Sequence, residues 1–123
     1  MVMTHKEVEE LILSMPGAKL DYPFGEGVAV YKVGDPDTDP SDATGQGKMF
    51  ALIQENSRPL RLSLKCDPQL AETLRQKYET VMPGYHLNKK HWNTILVTGQ
   101  LSNQEIKDLI RHSYELVKPQ SST

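Results

Sequence analysis

The chain has 123 residues, of which 37% are hydrophobic and 24% are charged, and its net charge at pH 7 is −2. These values are typical of one globular domain with a hydrophobic core, and no apolar run approaches the roughly 18 residues that a membrane-spanning helix needs. Cys66 is the single cysteine, which excludes an intramolecular disulfide. Since the N-terminus also lacks the pattern of an export signal, we expect a cytoplasmic protein without a membrane partner.

The charges are unevenly distributed along the chain. Residues 1–57 carry 4 Lys/Arg against 10 Asp/Glu, residues 58–92 carry 7 against 3, and residues 93–123 carry 3 against 3. A basic patch within the middle third would attract nucleic acid. The acidic pI near 6.1 and the lack of a helix dense in lysine and arginine argue against such a partner.

The N-terminal half begins with a helix. Thr4 and Glu7 have the spacing of a capping box, and apolar residues recur at helical intervals until "MPG" at 15–17 ends the pattern. The next segment, "AKLDYPFGEG" at 18–27, predicts a short extended piece. Two strands are then predicted, "VAVYKV" at 28–33 and "KMFALI" at 48–53.

The segment "LRLSLKC" at 60–66 is the most informative strand candidate. Its leucines fall on one face, while Arg61, Ser63 and Lys65 fall on the other, because side chains alternate along a strand. The outer face of this strand is therefore predicted to be polar and basic. The linker "ENSRP" makes a hairpin with the preceding strand and places Arg58 near its tip.

The C-terminal half contains two helices and a strand. A helix over 68–79 starts with an N-cap aspartate followed by a first-turn proline. "TILVTG" at 94–99 predicts a strand. Ser102 and Glu105 form a second capping box, which starts the last helix.

The resulting order, α-β-β-β-α-β-α with hairpin-length links, predicts an α+β fold with an antiparallel sheet packed against helices. We expect a single domain over 1–118, a flexible acidic loop at 35–46 and a disordered tail at 119–123. The loop has the alternating acids of a calcium loop. However, Pro40 and Gln46 stand where that motif needs glycine and glutamate, so no metal site is expected there.

Three segments resemble the MmcQ/YjbR family of small bacterial proteins: "YPFGEGVAVYKVG…GKMFALI", "LRLSLKCDPQLAETLRQKY" and "MPGYHLNKKHWNTILV". The resemblance covers roughly residues 4–117, and "PGYHLNKKHWNT" is its most specific part. It implies an α+β fold similar to that of frataxin, with two wing-like halves, and a DNA-binding function without an assigned enzymatic activity. The chain departs from the family where residues 35–46 replace a tight glycine turn, an insertion that costs little entropy.

A nucleic-acid interface is the first functional hypothesis. Lysine and arginine side chains would neutralise phosphates, and Asn88 and Asn93 would bond base edges or sugars. Trp92 and two histidines would stack on unpaired bases. The predicted binding residues are Arg58, Arg61, Lys65, His86, Asn88, Lys89, Lys90 and His91. Two neighbours are predicted to be structural instead: Gly84 supplies a positive φ, and Trp92 anchors the turn in the core.

Two other functions are left open by the sequence. A non-enzymatic module for a protein or a small anionic ligand would use the aromatic rings, donors and positive charge of the 85–92 segment. An enzyme is the third alternative and has little support, because His86 and His91 are five residues apart, which fits neither a helix face nor a strand face. Cys66 ends an apolar strand, a position typical of a core residue. Frataxin-like iron handling would use Glu7, Glu9 and Glu10 of the first helix, but a run of acids there is usually the solvent-exposed face of the helix. We therefore expect no catalytic residue, metal or cofactor.

Overall fold

A computed structural model describes residues 2–33, 48–84 and 87–117, which contain three helices and one six-stranded sheet. The helices are α1 (His5–Leu13), α2 (Pro68–Lys77) and α3 (Asn103–Val117). The strands are β1 (Ala18–Asp21), β2 (Val28–Val33), β3 (Lys48–Gln54), β4 (Leu60–Lys65), β5 (Val81–Pro83) and β6 (Trp92–Val97). The strand order is β1-β2-β3-β4-β6-β5, and every neighbouring pair is antiparallel. The predicted α+β class is confirmed.

The acidic loop at 35–46 and the tail at 119–123 lie outside the described ranges. The frataxin-like, two-winged shape implied by the family resemblance stays a prediction. Within the described ranges, none of the helices combines the length and the apolar character that a bilayer crossing requires.

The observed element order is longer than the predicted one by two strands. β1 occupies part of the segment in which only an extended piece is predicted, and β5 is absent from the predicted order. β5 has only three residues, the last of which is a proline, so it carries almost no alternating pattern. The predicted strand at 94–99 is also placed too late, since β6 starts at Trp92 and ends at Val97.

The helix starts follow the predicted capping motifs. Thr4 Oγ1 accepts a hydrogen bond from the backbone N–H of Glu7 at 3.1 Å, and the Glu7 carboxylate accepts one from the N–H of Thr4 at 2.9 Å. Ser102 and Glu105 form the same reciprocal pair before α3, at 3.1 and 3.0 Å. Asp67 caps α2 with its carboxylate. Each cap satisfies backbone donors that a helix start leaves unpaired.

All three helices contribute to one hydrophobic core on one face of the sheet. β4 has the predicted alternation, with Leu62 and Leu64 buried in this core. Ser113 of α3 is fully buried, and its hydroxyl donates to the carbonyl of Phe50 and accepts from the N–H of Lys65. This single side chain therefore joins α3 to both β3 and β4.

The opposite face of the sheet, called here the second face, has a smaller apolar cluster. Val30, Leu52 and Trp92 form it, each 7% exposed or less, with contributions from neighbouring strand residues and Leu87. Beside it, the hydroxyl groups of Ser63 and Thr94 share a hydrogen bond of 2.8 Å, which lets both side chains be buried. The prediction of a polar and basic outer face along β4 is therefore wrong for its centre, where Ser63 is 7% exposed.

Candidate functional site

The family-specific motif forms a turn between β5 and β6. The side-chain Oδ1 of Asn88 accepts a hydrogen bond from the backbone N–H of Lys90 at 2.9 Å. The backbone N–H of His91 donates to the carbonyl of Asn88 at 3.2 Å. Asn88 thus stabilises the turn that displays the two lysines. Tyr85 and His86, the latter predicted to bind nucleic acid, lie outside the described residues.

Arg75 of α2 holds this turn from the core side. Its Nε donates to Oδ1 of Asn93 at 2.7 Å, and its guanidinium group also donates to the backbone carbonyls of Lys89 and Trp92. Asn93 is 2% exposed, and its amide nitrogen donates to the carbonyl of Ala71 at 3.3 Å. Arg75 is therefore engaged inside the protein, and Asn93 is buried. Sequence reasoning counted Arg75 only as a positive charge.

Trp92 and Gly84 pack against each other at the base of the turn. Trp92 is 7% exposed, and the N–H of Gly84 donates to its carbonyl at 2.9 Å. A Cβ atom on Gly84 would lie 2.7 Å from the Cβ of Trp92, so close approach of the two backbones requires glycine here. The prediction of a positive φ at Gly84 is wrong, because steric contact rather than backbone conformation explains this glycine.

Five of the predicted cations lie along β4 and the turns before and beside it. From β4, Arg61 and Lys65 point to the second face, and Lys65 pairs in register with Trp92, which follows the turn. Arg61 and Lys65 are half-buried, whereas the others are exposed. We call this set the basic rim: Arg58, Arg61, Lys65, Lys89 and Lys90.

The basic rim has two ends. Four strand steps of about 3.3 Å separate Arg61 from Lys65, so these residues are roughly 13 Å apart. Lys65 pairs with Trp92 and therefore lies beside the turn that carries Lys89, whereas Arg58 precedes the other end of β4. Among the described residues, no side chain forms an ion pair with a member of the rim.

His91, the last of the predicted binding residues, contacts Cys66 through its backbone. His91 is half-buried, and its carbonyl accepts a hydrogen bond from the N–H of Cys66 at 2.7 Å. Cys66 is 3% exposed, and this burial, with a smaller contribution from Asp67, raises the pKa of its thiol to about 11. A thiol held in its protonated form is a poor nucleophile, so Cys66 provides no basis for catalysis.

A separate cluster of polar side chains lies between α1 and the end of β3. Nε2 of His5 is 3.3 Å from Oε2 of Glu55, and ligand atoms of His5, Glu9 and Glu55 all lie within 4.8 Å of one another. The hydroxyl of Tyr31 donates to Glu9 at 2.6 Å, and that of Tyr22 donates to Glu55 at 3.0 Å. Burial, followed by the Glu9 hydrogen bond, raises the pKa of Tyr31 well above its usual range. Sequence reasoning missed this cluster.

The chain is similar to known proteins over most of its length. The model of a family described as YjbR matches residues 13–116. The uncharacterized protein YbdF of Escherichia coli O157:H7 is 34% identical over 113 residues, which cover 92% of this chain and 83% of that protein. The uncharacterized protein YjbR of Escherichia coli K12 is 42% identical over 67 residues, which cover 54% of this chain and 57% of that protein.

Solved structures have the same fold. A crystal structure of Deinococcus radiodurans protein DR2400, described with a DUF419 domain, has a TM-score of 0.82 at 35% identity and covers 94% of this chain and 78% of that one. A crystal structure of a Pseudomonas syringae protein has a TM-score of 0.73 at 27% identity and covers 94% of this chain and 100% of that one.

Proposed function

The chain belongs to the YjbR family, and from that premise we propose that it binds DNA through the basic rim. The observation that supports the proposal is the arrangement of five cationic side chains along the β3–β4 linker, β4 and the 87–92 turn. No ion pair among the described residues neutralises them, so their charge is available to phosphates.

The burial of the second face favours contacts with the phosphate backbone over contacts with bases. Trp92, the largest aromatic side chain of the motif, is 7% exposed and offers no ring surface on which a base could stack. Lys89 and Lys90 are exposed and carry point charges. Binding of this kind is largely independent of sequence and strongly dependent on salt.

The geometry of the rim suits a duplex. The roughly 13 Å between Arg61 and Lys65 is comparable to the major-groove width of about 12 Å, so these two side chains would contact phosphates on opposite sides of a groove. Among the described residues, Glu7, Glu9 and Glu10 of α1 lie on the other side of the sheet. Asp21, by contrast, pairs in register with Val30 of the second face and forms an ion pair with Lys32. The separation of the rim from the α1 glutamates would orient the protein with its second face toward DNA.

The proposal is tested by fluorescence anisotropy with a labelled duplex over a range of salt concentrations. The double variant Lys89→Gln and Lys90→Gln is expected to reduce the log–log salt slope by about two, one for each phosphate contact removed. The matched control removes two exposed cations of α3, Lys107→Gln and Arg111→Gln, with the same change in net charge. The control is expected to keep the slope of the unmodified protein.

Three outcomes would count against DNA binding through the rim. Absence of saturable binding at low salt would remove it. An equal reduction of the salt slope in the α3 control would show that the slope depends on net charge alone. Binding to polyglutamate, but not to DNA, with the same dependence on Lys89 and Lys90 would favour the alternative of a module for an acidic protein.

A further inference from the structure

We propose that His5, Glu9 and Glu55 form a binding site for a divalent transition-metal ion. The site goes beyond the proposed DNA binding, and none of its three residues belongs to the basic rim. His5 and Glu9 are four residues apart on α1, which places them on one face of that helix. Glu55 directly follows β3, and the three side chains offer ligand atoms within 4.8 Å of one another.

The carboxylates of the cluster are held by tyrosines. Tyr31 is fully buried and donates its hydroxyl to Glu9, while Tyr22 donates to Glu55. The backbone N–H of Glu55 also donates to the carbonyl of Gly27 at 2.8 Å, which fixes the start of its side chain. Hydrogen-bond donors behind ligating carboxylates are the arrangement that orients ligands in metal sites.

The environment of the His5 imidazole points to a bound metal ion. Its Nε2 is shielded from solvent and makes no hydrogen bond of normal geometry, and Oε2 of Glu55, 3.3 Å away, forms an ion pair with it only when the ring is protonated. In the neutral ring this nitrogen has lost water without gaining a bond, which is unfavourable. A metal ion between His5 and the two carboxylates would accept the nitrogen lone pair and offset the repulsion between Glu9 and Glu55.

The donor set selects the class of metal. One imidazole nitrogen suits zinc and other first-row transition metals, whereas magnesium and calcium prefer all-oxygen sites. Two carboxylates and a neutral imidazole together carry a charge of −2, which balances the charge of a divalent cation. Ligand atoms about 2.1 Å from a tetrahedral ion lie roughly 3.4 Å from one another. The three ligand atoms of the cluster lie within 4.8 Å of one another, so small side-chain rotations would bring them to that spacing.

An open cleft gives the cluster access to solvent. The cleft has a volume of about 390 Å³ and is lined by Tyr22, Glu26, Gly27, Glu55 and Asn56. Glu55 belongs to the cluster and also lines the cleft. The cleft provides an entry path and room for water to complete the coordination of the ion.

The test is isothermal titration calorimetry of the untagged full chain with zinc chloride, with thermal unfolding as a second readout. One equivalent of zinc is expected to bind and to raise the Tm. Glu9→Gln and Glu55→Gln each are expected to weaken binding by at least about tenfold and to abolish the zinc-dependent rise in Tm. Glutamine keeps an oxygen that accepts from the tyrosine, so both variants retain these hydrogen bonds.

Glu10→Gln is the matched control, since Glu10 is exposed on the same helix and is not part of the cluster. It is expected to bind zinc like the unmodified protein. The proposal is overturned if zinc does not saturate at one equivalent, if Glu9→Gln and Glu55→Gln bind as tightly as the control, or if magnesium competes at similar concentrations. None of these results would bear on DNA binding by the rim.

Discussion

The Nε of Arg75 donates a 2.7 Å hydrogen bond to Oδ1 of Asn93, and this contact ties α2 to the first residues of β6. The same guanidinium group donates to the carbonyls of Lys89 and Trp92 on the preceding turn. The most distinctive segment of the chain is thus held in place by one arginine from another element. The lysines of that turn are displayed at the surface because the residues around them are anchored.

Replacement of Arg75 by lysine is expected to destabilise the protein by about 2 kcal/mol. Hydrogen bonds to charged groups contribute roughly 1.5–3 kcal/mol, and a lysine cannot reproduce the planar fork of donors. The free energy of unfolding from urea denaturation measures the effect. Gln76→Ala, at an exposed neighbouring position of α2, is the control and should change stability by less than about 0.5 kcal/mol. Equal effects of the two substitutions would contradict the role of Arg75.

Gly84→Ala is expected to cost about 1–3 kcal/mol, because the added methyl group would lie 2.7 Å from the Cβ of Trp92. Trp92→Ala is expected to cost about 3–5 kcal/mol as a large-to-small change at a buried position. Since alanine keeps the Cβ atom, the second substitution should not rescue the first. Urea denaturation of both single variants and the double variant measures this. Full rescue in the double variant would show that the contact lies with the indole ring.

Cys66 is expected to stabilise the protein less at alkaline pH. Its pKa is raised from 9.0 to about 11 in the folded state, so the folded protein binds the thiol proton more tightly than the unfolded chain. This contribution is fully present below pH 9 and is lost as the pH rises through 11, with a magnitude of about 3 kcal/mol at most. The difference in unfolding free energy between the unmodified protein and Cys66→Ala should therefore shrink between pH 8 and pH 10.5. A difference in unfolding free energy that does not change with pH would contradict the raised pKa of the buried thiol.

Glu105 is expected to titrate below its ordinary pKa of 4.5, because its carboxylate accepts a hydrogen bond from the Tyr78 hydroxyl and another from the N–H of Ser102. A lowered pKa gives stability that is present above the unfolded pKa and lost as the pH falls through the folded one. Carbon-detected NMR titration should show the midpoint rising in Tyr78→Phe. The control Tyr114→Phe removes a hydroxyl that bonds Pro16 instead and should leave the Glu105 midpoint unchanged.

Much of the fold could be predicted from local sequence patterns. The strand at 28–33 was predicted with the bounds observed, and the capping pairs at Thr4 and Ser102 mark the starts of α1 and α3. β5 is absent from the predicted order, since its three residues contain too few alternations to indicate a strand. The predicted strand at 94–99 starts two residues after β6 does, because Trp92 and Asn93 follow loop-forming residues and only their pairing with β4 identifies them as strand.

The candidate sites were less predictable than the fold. The charge count of residues 58–92 indicated a basic patch, but it included Arg75, which is engaged inside the protein. His5 and Glu9 have helical spacing, yet Glu55 is far from them in sequence and reaches them only through the placement of β3 beside α1. Burial of the central second face also depended on Val30 and Leu52 meeting Ser63 in register.

The caps, the alternation of β4 and the family follow from local sequence, because each depends on side chains close together in the chain. Which charges are available and which are engaged depends instead on partners that strand register and helix packing bring together. Lys89 and Arg75 show the difference: both are cations of the middle third. One is exposed on a turn, and the other holds that turn through Asn93.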